Sequence, residues 1–131
     1  MAELARRHLD RREAQLALGR GKSLEIFLGP CGPAVGAGVR FAALDGTPDA
    51  VTVTVTVFEM QSPGADFLDL YEAVPLERES DGGIVLEARF ESLAAALDVL
   101  EDAYPGAPLG IVNFGMLGDE YLTHLRQAAN S

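Results

Sequence analysis

The chain has 131 residues, 48% of them hydrophobic, and a formal net charge of −10. A chain of this length forms one domain that buries its own core, and this hydrophobic content excludes a disordered protein. A single cysteine excludes a disulfide-stapled secreted scaffold, and no apolar run has the length of a signal peptide or a membrane span. We therefore expect a cytoplasmic protein that does not act in a membrane.

Charge is divided unevenly along the chain. Residues 1–22 contain six basic and three acidic side chains, whereas the remaining residues contain four basic and 17 acidic ones. We therefore expect a basic N-terminal helix or arm over residues 1–22 and an acidic α+β domain over residues 23–131. The acidic part repels phosphate backbones, so nucleic acid is not an expected partner, and a protein with a basic surface is.

The N-terminal segment predicts a helix over residues 2–18. It is rich in good helix formers, and Gly19 and Gly21 end the run. Its predicted apolar stripe is thin, with three members: Ala5, Leu9 and Leu16. We therefore expect electrostatic contacts, more than apolar burial, to hold this helix in place.

Strand patterns dominate the middle of the chain. The clearest is residues 51–60, where four valines alternate with three threonines. Residues 80–83 predict a hairpin turn, since Asp-Gly supplies the positive φ angles of a tight turn. The other predicted strands are residues 24–28, 35–44, 67–78 and 84–90.

The C-terminal part predicts two helices around a short strand. Ser92 is a suitable N-cap, Pro105-Gly106 ends the helix that follows, and residues 109–114 predict the strand. The last helix covers residues 117–129. We expect an α+β fold with a single, mainly antiparallel sheet of about five to six strands. The N-terminal helix and the two C-terminal helices pack on one face of it, and residues 84–114 could add one parallel strand pair.

Few residues predict chemistry. Cys31, in Gly-Pro-Cys-Gly-Pro, is a possible reactive thiol, but the two available bases, His8 and His124, lie in separate segments. A turn cysteine without a chemical role is the favoured interpretation. His124 is interpreted as a boundary residue of the last helix. No spacing of Cys and His residues suits a zinc site, so we expect no metal. We also expect no catalytic residue and no cofactor.

Candidate binding residues come from the charge pattern. Carboxylates could form a docking surface, and two of them could share one exposed sheet face if residues 67–78 and 84–90 are adjacent strands. The binding candidates are Glu59, Asp69, Glu72, Glu87, Arg7 and Arg11. A second set is apolar and lies opposite the aliphatic stripes, so it forms either a second core layer or an exposed patch that pairs subunits: Phe27, Phe58, Met60, Phe114 and Met116.

Three functions stay open. The first is a non-enzymatic protein-binding domain, an adaptor, chaperone or immunity-like protein, that uses an acidic surface and forms a homodimer. The second is a small-molecule-binding protein or enzyme with a pocket between the sheet and the helices. The third is a structural subunit that assembles with copies of itself through the strand at residues 51–60.

Overall fold

A computed structural model describes residues 8–32, 37–46, 52–66, 69–77 and 80–129. This part of the chain contains α1 (Arg11–Gly19), β1 (Leu24–Cys31), β2 (Gly38–Gly46), β3 (Val53–Gln61), β4 (Ile84–Phe90), α2 (Leu93–Ala103), β5 (Ile111–Asn113) and α3 (Leu117–Ala129). Two short 3-10 helices cover Leu70–Glu72 and Ala107–Gly110. The expected α+β fold is confirmed.

The five strands form one sheet in the order β4-β3-β2-β1-β5. Every neighbouring pair is antiparallel, including β1 and β5. The parallel pair that residues 84–114 could have formed is therefore absent from this sheet. The reason is the long connection through α2, which carries the chain from one edge of the sheet, at β4, to the opposite edge, at β5.

Both faces of the sheet are covered. The valines of β3 belong to a first core, together with buried residues of α1 and α2. The opposite face carries Phe41 and Met60, which pack in a second core with Leu117 and Tyr121 of α3 and with Leu70. The expectation that all helices lie on one face is thus wrong, because the second face is too apolar to be left in water.

The start of α1 is set by a capping box. The Asp10 carboxylate accepts a hydrogen bond from the Glu13 amide at 2.8 Å, and the Glu13 carboxylate accepts one from the Asp10 amide at 3.0 Å. Residues 8–10 are not helical, so the predicted helix starts too early; residues 1–7 lie outside the described part.

The packing of α1 also differs from the prediction. Ala14, Ala17 and Leu18 are buried in the first core, whereas Leu16 is exposed. Of the predicted stripe, Leu9 packs against the first core, Leu16 is wrong, and Ala5 lies outside the described residues. Leu16 is exposed because the helix is rotated so that its two alanines lie close to the sheet. The burial of Ala14, Ala17 and Leu18 favours apolar anchoring of α1, and the expectation that charge holds the helix stays a prediction.

The strand predicted over residues 67–78 is wrong over the described residues 69–77, where Asp69 instead caps the 3-10 helix Leu70–Glu72. After that helix, Pro75 forms an isolated bridge to Met60, next to a hydrogen bond from the Leu76 amide to the Glu59 carbonyl at 3.1 Å. The predicted turn before β4 is present, with φ angles of 60° and 89° at Gly82 and Gly83, but no strand among residues 69–77 pairs with β4 to complete the predicted hairpin.

Candidate functional site

Glu59, one of the predicted binding carboxylates, is neutralised within the fold. Its Oε2 accepts hydrogen bonds from Arg40, from Nε at 2.7 Å and Nη2 at 2.5 Å. The Arg40 guanidinium also lies 5.2 Å from the centre of the Tyr104 ring. Glu59 therefore links β2 and β3 and offers little free charge to a partner.

The other predicted carboxylates are separated by the loss of the strand at residues 67–78. Asp69 accepts a hydrogen bond from the Tyr71 amide at 2.9 Å, so its role is to cap the 3-10 helix. Glu72 lies in that helix, and Glu87 lies on β4 opposite Thr56. Both are exposed, but they do not lie on adjacent strands as expected.

The basic candidates contribute little to a site. Arg7 lies outside the described residues. The Arg11 Nη2 lies 3.4 Å from Oδ1 of Asp98, and both side chains are mostly exposed. Such a pair adds well under about 1 kcal/mol to stability.

Cys31 is a half-buried free thiol at the end of β1. Burial and the charge of Glu59 raise its pKa, and Arg40 offsets this only in part. The thiolate is therefore disfavoured at neutral pH. The two histidines have other contacts: His8 Nε2 lies 2.7 Å from a carboxylate oxygen of Glu120, and the His124 ring lies 5.3 Å from that of Phe27.

The predicted apolar residues opposite the aliphatic stripes divide between a second core layer and an exposed patch. Phe27, Phe58 and Met60 belong to the second core, as a second core layer requires. Phe114 is instead 63% exposed. No helix in the described ranges is long and apolar enough to cross a membrane. No group of His, Cys, Asp and Glu side chains within those ranges could hold a metal ion.

A buried carboxylate that the sequence analysis missed ties the second face together. Glu25 on β1 is 1% exposed. Its Oε1 accepts hydrogen bonds from the amides of Gly115 and Leu117 at 2.9 and 3.1 Å, and its Oε2 accepts one from the Tyr71 hydroxyl at 2.6 Å. Glu25 thereby caps the first turn of α3 and anchors the 3-10 helix Leu70–Glu72 through Tyr71. The available signal was Phe27, an apolar residue on the same face of β1 as Glu25, which indicates that this face is covered as well.

A pocket of about 200 Å³ opens beside this carboxylate. It is lined by Glu25, Tyr71, Phe114 and the start of α3. Burial and the hydrogen bond to Glu25 raise the pKa of Tyr71. The convergent polar groups are thus bonded to each other, and the volume lies below the roughly 300–1,000 Å³ of typical ligand pockets. These features fit a structural network better than a ligand site.

Among the described elements, α2 carries the largest net negative charge, and it lies on the exposed side of the helix. Asp98, Glu101 and Asp102 are exposed, and so is Val99, which is 45% accessible. We call these four residues the α2 outer face. Glu101 accepts a hydrogen bond from the Gly106 amide, and Asp98 contacts Arg11. The i, i+3, i+4 spacing of the carboxylates is visible in the sequence, although the predicted binding carboxylates lay on strands and loops instead.

Comparison of the chain with protein-family models, with curated proteins and with solved structures found no match.

Proposed function

We propose that the chain is a non-enzymatic, cytoplasmic protein-binding domain that docks a partner with a basic surface on the α2 outer face. One observation carries the proposal: three exposed carboxylates lie on the C-terminal half of α2, and Asp102 in its last turn has an unfavourable charge for that end of the helix. The proposal keeps the homodimer and excludes nucleic acid as a partner, because the domain is strongly acidic.

The electrostatics of α2 are unfavourable for folding. The C-terminal end of a helix carries partial negative charge, and acidic side chains there are destabilising. Asp98 and Asp102 are also like charges four residues apart, and α2 has no basic residue in its last turn. A local cost of this kind is typical of residues that serve binding rather than folding.

The same face suits a basic, partly apolar partner. A helix has about 3.6 residues per turn, so Asp102 lies at the middle of the exposed side, with Asp98 and Val99 on either side of it. Cationic side chains of a partner would relieve the repulsion between the carboxylates, and Val99 would supply an apolar contact. The free energy of binding would therefore include the electrostatic repulsion that the partner removes from the free protein.

The test is a titration with a synthetic amphipathic peptide rich in Lys and Arg, followed by calorimetry. The variant Asp98→Asn/Asp102→Asn should weaken binding by about tenfold, since two exposed ion pairs contribute up to about 1 kcal/mol each. The control, Glu72→Gln/Asp119→Asn, removes the same charge from other exposed sites and should change the affinity by less than about threefold.

Equal losses in the two variants would show that the peptide senses net charge alone, and the proposal would be wrong. A wild-type chain that binds no basic peptide at low salt would contradict it as well.

A further inference from the structure

β4 leaves one edge of the sheet open among the described residues. It is the terminal strand, hydrogen-bonded to β3 on one side. Val85 and Leu86 on this strand are 46% and 44% exposed. The opposite edge, β5, is shorter, and the Leu9 amide donates to its Ile111 carbonyl at 2.7 Å. An open edge with exposed apolar side chains is a template for another strand.

The β4 sequence is complementary to itself in one antiparallel register. When two copies are related by a two-fold axis perpendicular to the sheet at Ala88, Glu87 lies opposite Arg89 of the second copy, and the reverse pair forms as well. Glu87 and Arg89 lie on one face, opposite Thr56 and Thr54 of β3. Neither forms an ion pair with another described residue.

The same register also pairs Leu86, one of the two exposed apolar side chains of β4, with an apolar residue. Leu86 lies opposite Phe90 of the second copy, on the face that contains the first core. An axis at Glu87 would place the two copies of Glu87 opposite each other, which is repulsive. An axis at Leu86 would leave both charged residues without a counterpart. Charge complementarity therefore selects Ala88 as the centre.

We propose that two copies of this chain associate through β4 in this register, so that the two five-stranded sheets become one continuous antiparallel sheet. β3, which was the strand predicted over residues 51–60, cannot serve, because β2 and β4 occupy both of its edges. The dimer goes beyond the proposed docking surface. It also places the two α2 outer faces on the same side of the joined sheet, which allows bivalent binding of a basic partner.

The test is a charge exchange followed by sedimentation equilibrium at low salt. The wild-type chain should dimerise. Glu87→Arg and Arg89→Glu should each weaken the dimer by about tenfold or more, because attraction becomes repulsion at two symmetric positions. The double variant Glu87→Arg/Arg89→Glu restores both pairs and should return to within about threefold of the wild-type dissociation constant.

Circular dichroism checks that each variant is folded. A wild-type chain that stays monomeric would overturn the proposal, as would a double variant that associates no better than the single ones. The variant Asp98→Asn/Asp102→Asn should leave the dimer dissociation constant unchanged. The dimer and the α2 docking surface are therefore tested by separate experiments, and a negative result for one leaves the other proposal standing.

Discussion

Replacement of Asp102 by Asn should stabilise the protein, although it removes a charge from the surface. Asp102 lies in the last turn of α2, where loss of a negative charge is worth about 0.3–1 kcal/mol. It also removes the like-charge pair with Asp98 at the i, i+4 spacing, worth about 0.2–0.5 kcal/mol. The two effects together predict an increase of roughly 0.5–1.5 kcal/mol in the free energy of unfolding at low salt.

The assay is urea denaturation followed by circular dichroism. With a slope of about 1–3 kcal/mol per molar urea, a change of about 1 kcal/mol moves the midpoint by roughly 0.3–1 M. Asp and Asn have similar helix propensities, so the substitution isolates the charge. The matched control is Asp119→Asn in the first turn of α3, where a carboxylate is favourable, and it should lower stability by about 0.3–1 kcal/mol.

The two substitutions should therefore shift the midpoint in opposite directions. In about 1 M salt, where the screening length is about 3 Å, both shifts should shrink towards zero. If Asp102→Asn destabilises the protein, or if its effect is the same in low and high salt, the electrostatic description of α2 is wrong.

Three further results are expected. Leu18→Ala should lower the free energy of unfolding by about 2–5 kcal/mol in urea denaturation, because Leu18 is buried in the first core. In the wild-type protein, α1 and the sheet should unfold together at every salt concentration. Earlier loss of α1 in high salt would contradict apolar anchoring. Glu25→Ala should cost about 3–5 kcal/mol, since it leaves two amides and a hydroxyl without their acceptor; a loss below about 1 kcal/mol would show that the network contributes little. Near pH 10.0, the pKa of an ordinary tyrosine, Tyr71 should stay protonated in the folded protein. Its contribution to stability is therefore present below that pH and is lost above it, where the unfolded chain ionises first. Absorbance titration should show that the Tyr71 phenol ionises only as the protein unfolds in alkali, and Tyr71→Phe should remove part of the alkaline loss of stability.

Elements with a strong local signal were predictable. The Val and Thr alternation identifies β3, and the valines indeed lie in the first core. Ser92 caps α2 by accepting a hydrogen bond from the Ala95 amide, as its position before an apolar helical pattern predicted. The last helix, Leu117–Ala129, also has the predicted bounds. In these cases, local propensity and tertiary packing agree.

Elements whose conformation depends on distant residues were not predictable. Residues 67–78 alternate like a strand, but Asp69 caps a 3-10 turn there, and Tyr71 reaches Glu25, which is distant in sequence. The start of α1 is a different failure. The capping box of Asp10 and Glu13 is a local signal, and helix propensity alone concealed it.

For the candidate site too, local features were predictable from the sequence and contacts between distant residues were not. The acidic surface was predicted in general terms, but the residues chosen for it proved to be structural in part, since Glu59 pairs with Arg40 and Asp69 caps a helix. Such pairings depend on which strands are neighbours. The α2 outer face could have been found, because the spacing of Asp98 and Asp102 and the lack of a cation in the last turn are local features.

Docking on the α2 outer face is tested most directly by a titration of the isotopically labelled protein with the Lys- and Arg-rich peptide, followed by NMR. We expect the amide shifts to concentrate on residues 98–103 and to weaken as salt is added, while the amides of β5 and of the pocket beside Glu25 stay unchanged. Shifts centred on that pocket, or spread evenly over all acidic surfaces, would contradict the claim that the α2 outer face binds the partner.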